Sequence, residues 1–136
     1  PMSATANVGI FVGGPLPVDA NGNVHATVHV VIDARVALTG VALADLELTD
    51  DNHTIIARGT PNPSMRVMAE PPSRDLGPFD GTIAAGGHVA IWTGARLDAP
   101  MATLTRTPPT RYRLRIASGS GSIVVTGEMM KPGATG

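Results

Sequence analysis

The chain has 136 residues, of which 43% are hydrophobic, with ten basic and eleven acidic side chains, a net charge of −1 and no cysteine. That length suits one domain with one core, and the composition excludes a disordered chain. The near-neutral balance offers nothing to a nucleic acid, and a cysteine-free chain has no disulfide, thiolate metal site or cysteine nucleophile.

Aromatic residues are scarce, namely Phe11, Phe79, Trp92 and Tyr112, so the core must be aliphatic. No apolar run reaches the length of a membrane span and no signal-peptide pattern is present, although a removed leader would leave no trace. Pro1 before Met2 reads as a processing remnant, because the strand-and-long-helix pattern of the tautomerases, which use an amino-terminal proline as base, does not follow it.

Alternation with period two dominates the chain. Val8, Ile10 and Val12 mark a first strand, ended by Gly13-Gly14-Pro15. Asp19-Ala20-Asn21-Gly22-Asn23 is a turn. As a calcium loop it fails, since its glycine falls at the fourth position and Val30 stands where a bidentate acid is needed. A long strand from Val24 to Asp33 follows, with Val24, Ala26, Val28, Val30 and Ile32 on the core face and His25, Thr27 and His29 on the other.

Leu43 to Arg58 reads as a β-hairpin. A two-residue loop at Asp51-Asn52 would pair Leu48 with Ile55, Leu46 with Ala57 and Asp45 with Arg58. The acids of Asp50-Asp51-Asn52-His53 read as turn formers before cation ligands. Five prolines break the stretch from Pro61 to Pro78, leaving a short edge strand over Ser64–Glu70 and another over Phe79–Ile83. His88 to Leu97 is again a strand, with Val89, Ile91, Ala95 and Leu97 alternating. The last hairpin joins Thr110–Ala117 to Ser122–Glu128 and sets Ile116 against Ile123, Leu114 against Val125 and Arg111 against Glu128. Tyr112 then covers the bare backbone of Gly127. Residues from about 131 form a frayed tail.

Eight or nine strands at this spacing, without a helix of normal length, define one all-β domain over residues 1–136. The strand pattern is similar to that of immunoglobulin-like modules, which makes a two-sheet β-sandwich the expected architecture and a closed β-barrel the second. No internal repeat or domain linker is present.

Chemistry is sparse. His25 and His29 lie about 13 Å apart on a strand and cannot share a metal ion unaided. Arg111, Arg113 and Arg115 form a stripe with heads about 6.7 Å apart, suited to a carboxylate-rich or phosphorylated partner unless the neighbouring strand pairs them with acids. Trp92 shares a face with His88 and Ala90, opposite the core-facing Val89 and Ile91, and reads equally as an exposed contact residue or as a cap on the open end of the sandwich. The methionines read as gap fillers in an aromatic-poor core and do not form a Cu(I) cluster. No nucleophile elbow, metal-protease helix or phosphate-binding glycine loop occurs, so neither a catalytic group nor a cofactor is assigned. The expected function is therefore non-catalytic: an interaction or assembly module acting through a protein partner or self-association, with contact regions in the proline-rich stretch Pro61 to Pro78 and the stripe of Arg111, Arg113 and Arg115, and with Trp92, His25 and His29 as further candidate binding residues. The alternative is a barrel that binds a small molecule, or acts on it as an enzyme, with histidine and carboxylate side chains in its lumen.

Overall fold

The computed structural model describes residues 3–12, 21–69 and 74–130. Pro1, the first half of the Asp19–Asn23 turn, Glu70 and the tail from 131 lie outside them. Nine strands appear in chain order: β1 Ala4–Val12, β2 His25–Ala34, β3 Ala42–Thr49, β4 Ile55–Pro61, β5 Arg66–Ala69, β6 Arg74–Pro78, β7 His88–Leu97, β8 Arg111–Ser118 and β9 Gly121–Glu128. One six-residue helix, α1 (Met101–Arg106), precedes β8 and buries Leu104. The all-β class is as expected from the sequence.

The strands do not separate into the two sheets of an immunoglobulin-like sandwich. They form one antiparallel sheet in the order β1-β2-β7-β4-β3-β8-β9, with the β5–β6 hairpin attached to β7. β7 causes this. One of its edges pairs with the whole of β2, while the other is shared between β4, at Ala95–Leu97, and β5, at Ala90–Trp92. No strand pair is left at which the sheet can divide.

The end strands then meet. Met130 N–H donates to the Ile10 carbonyl at 2.8 Å, and the Tyr112 hydroxyl crosses from β8 to the Val8 carbonyl at 3.2 Å. The sheet is nearly closed and barrel-like, the second of the two architectures read from the sequence. Bulges at Leu43/Asp45 and Leu48/Thr49 add the local twist that lets β3 curve round.

Parity decides what lies inside. Ala26, Val28, Val30, Ile32 and Ala34 of β2 are buried, as are Ile91 and Ala95 of β7, Leu46 and Leu48 of β3, and Leu114 and Ile116 of β8. A ring of about eight strands leaves an interior just wide enough for side chains, and these aliphatic groups fill it.

Two expectations for the middle of the chain are corrected. His53 takes a left-handed conformation (φ 63°) and Asp50 N–H bonds to the Thr54 carbonyl, so the β3–β4 loop is longer than two residues. The ladder consequently sets Leu48 against Ala57 and Glu47 against Arg58. Phe79–Ile83 is not a strand either: only Ile83 bridges, to Leu38, while β6 forms just before it against β5. The last hairpin has the expected register throughout.

Candidate functional site

Because even positions of β2 point inward, the odd ones point out. β1, β2, β7 and β5 place a row of residues side by side across the outer wall: Gly9 faces His29, His29 faces Trp92, and Trp92 faces Arg66. Phe11 stacks on the His29 ring with centroids 6.4 Å apart and planes 21° from parallel. Val31 and Met68 flank the row, and Met130 packs on Gly9, whose missing side chain leaves room for its sulfur. All are partly covered by their neighbours and partly open. Burial among these groups lowers the pKa of His29, because the imidazolium loses hydration.

Arg66 is fixed at the margin of this wall. Its guanidinium makes a two-pronged contact with Asp75 on β6 at 3.0–3.2 Å. The Gly77 N–H, and then Arg66, hold the Asp75 carboxyl below the usual carboxylate range. The wall is therefore aromatic and apolar at its centre with a paired charge at its rim, a distribution common to protein contact patches.

His25 lies at the end of the same strand pair, opposite Arg96, beside a shallow groove of about 420 Å³ bounded by Thr60, Pro61 and Asn62. His88, at the start of β7, contacts Asp33 of β2 through Nδ1 at 2.5 Å. Among the described residues no group of three histidine or acidic side chains is placed to hold a metal ion. His25, Thr27 and His29 face outward, so they do not line a lumen, and the expectation of a polar interior is corrected: aliphatic side chains occupy that space.

The arginine stripe sits on a different wall, three strands away from β7 through β4 and β3. The neighbouring strand does supply acids there. Arg115 Nε donates to Asp45 at 2.8 Å, while Glu47 lies between Arg113 at 3.9 Å and Arg58 at 3.8 Å. Asp45 is thus taken by β8, not by Arg58 as the shorter loop would have required. Arg111 has no acidic partner among the described residues. The acids of the β3–β4 loop are used locally: Asp50 accepts from the N–H groups of Asn52 and Thr54, and Asp51 accepts from the Thr110 hydroxyl.

The structure thus brings His29 and Trp92 together, leaves His25 further along the same face, and puts the three arginines elsewhere. Phe11 and Arg66 were missed as site residues. The outward parity of Phe11 was readable from its place between Ile10 and Val12, whereas Arg66 joins the row only through the pairing of β5 with β7.

No family model matches the chain, and no curated protein matches it. Among solved structures it is similar to the X-ray structure of a Northeast Structural Genomics Consortium target, SoR45, with 12% identity and a TM-score of 0.43 over 96% of this chain and 89% of that one.

Proposed function

We propose that the protein is a non-catalytic assembly module whose outer wall, centred on Phe11, His29 and Trp92, docks against the same wall of a second copy. The observation that carries this reading is the placement of the only tryptophan and one of two phenylalanines on either side of His29, outside an aliphatic core. Large aromatic side chains in a row beside an arginine are the usual anchors of protein contacts. A net charge of −1 gives two copies little electrostatic reason to stay apart.

Trp92 is its own reporter. Size-exclusion chromatography with light scattering across a wide concentration range is expected to show mass rising towards two chains, with Trp92 emission shifting to shorter wavelength in step. Trp92→Ser and His29→Asp should each hold the protein at one chain. A mass of one chain at every concentration, or association unaffected by either substitution, would overturn the proposal.

A further inference from the structure

We propose that the cleft between the β3–β4 loop and the start of β8 binds a phosphomonoester. The cleft encloses about 200 Å³ and its basic side chains come from two elements: His53 from the loop, and Arg111 and Arg113 from β8. Thr49 and Thr126 bring hydroxyl-bearing side chains to the same lining, and Ile55 supplies an apolar wall for whatever the phosphate is attached to. Several donors arriving from different directions suit a tetrahedral oxyanion, which has more acceptor oxygens than a carboxylate.

The backbone holds His53 where this site needs it. It is the one non-glycine residue with positive φ among the described residues, and the Asp50 carboxylate fixes the turn by accepting two N–H bonds. Strain of that kind occurs most often where a side chain is held for a purpose.

Three acids stand nearby and set the terms of binding. Asp51 is engaged by Thr110, and Glu128 faces Arg111 across the β8–β9 ladder without an ion pair between them. Glu47 lines the cleft, but its contacts with Arg113 and Arg58 are longer than a hydrogen bond. An incoming dianion takes Arg113 and Arg111 together, and Glu47 keeps Arg58. The acid therefore competes with the ligand, which makes the proposal testable in both directions.

The whole chain is titrated with phenyl phosphate, inorganic phosphate and a phosphoserine peptide in low-salt chloride buffer, following backbone amide shifts by NMR. Shifts are expected at Thr49, His53, Ile55, Arg111 and Thr126. Arg111→Gln should weaken binding about tenfold, as the loss of one charge-assisted interaction would. Glu47→Gln should tighten it, and Arg115→Gln, at a residue that pairs with Asp45 and does not line the cleft, should leave it unchanged. Tighter binding of the peptide than of phenyl phosphate assigns the phosphate to a protein partner, and the reverse assigns it to a small molecule; both support the site. Absence of shifts at millimolar phenyl phosphate, equal weakening by Arg111→Gln and Arg115→Gln, or weakening by Glu47→Gln would each overturn it. The amide spectrum of each variant shows independently that it is folded.

Discussion

Replacing Gly127 with alanine tests how the barrel closes. Tyr112 is the one aromatic residue in the buried core, 6% exposed, and it lies across Gly127 on β9 to reach β1. A Cβ on residue 127 would stand 2.7 Å from the tyrosine oxygen and 3.0 Å from two ring carbons. Real Cβ contacts do not come this close, so the ring must move within the buried core to which it belongs. Overpacking of this kind costs about 1–3 kcal/mol. Losing the 3.2 Å bond to Val8, long for a hydroxyl donor, adds about 0.5 kcal/mol. Urea unfolding of Gly127→Ala is expected to show a stability loss of about 2–3 kcal/mol, which lowers the midpoint by about 1–2 M at unchanged slope. Tyr112→Phe, which keeps the ring, should lose no more than about 1 kcal/mol. In a Tyr112→Leu background the alanine has room, and its cost should fall by more than about 1 kcal/mol. A Gly127→Ala protein within about 0.5 kcal/mol of the parent, or a cost that simply adds to that of Tyr112→Leu, would refute this account of the seam.

Acidification should weaken the fold through His29. Its folded pKa lies below the unfolded value of about 6.5, so below that pH the unfolded chain binds the proton more readily and stability falls as pH drops, levelling off beneath the folded pKa. Thermal melts between pH 8 and 5 should show this decline, and His29→Gln should remove it. The Asp75 and Asp80 carboxyls, the latter held low by the Thr82 N–H and hydroxyl, act in a separate window: their contribution is complete above about pH 4 and is lost below it. At position 53, His53→Gly should leave stability unchanged or raise it by up to about 1 kcal/mol, because glycine accepts the left-handed backbone without strain. His53→Val should lose about 1–2 kcal/mol at the same position, and equal effects of the two in chemical denaturation would remove the argument from strain.

What could be read from the sequence was whatever a single ladder determines. The turn at Ser118–Gly121 and the matched pairs on either side of it leave one register for β8 and β9, and the Tyr112–Gly127 contact follows from it. The alternation of β2 assigns its two faces without knowledge of its neighbours. The β3–β4 hairpin was misread because its register depends on a left-handed histidine, and nothing in Asp-Asp-Asn-His demands that conformation. Arg74-Asp75-Leu76-Gly77-Pro78 has no alternation at all and becomes a strand only because β5 offers it an edge. Sandwich and barrel differ in which distant strands meet, and that was decided by β7 dividing one edge between β4 and β5. The candidate sites divide in the same way: His29 and Trp92 were visible as outward residues, whereas their adjacency, and the company of His53 with Arg111, required the fold.

The strength of the proposed association follows from the same wall. An interior filled by aliphatic side chains accommodates one aromatic ring only where Gly127 leaves space for it, so Phe11 and Trp92 are carried outside. With Val31, Met68 and Met130 they form the apolar part of the wall, and a contact covering about 200 Å² of it on each copy lies well below the roughly 800 Å² per partner of a stable interface. At about 25 cal/mol/Å², covering two such walls gains about 10 kcal/mol. Lost translational and rotational freedom consumes about 4–15 kcal/mol of that gain, so the surplus is at most about 6 kcal/mol, which corresponds to dissociation no tighter than tens of micromolar. The dimer should accordingly appear only in concentrated solution. Being apolar at its centre, it should respond weakly to salt but strongly to pH, since protonating His29 places a charge in the contact that must be desolvated. Association that did not weaken as His29 takes up its proton, or that dissolved on adding salt at pH 8, would point to the charged wall of β3 and β8 instead.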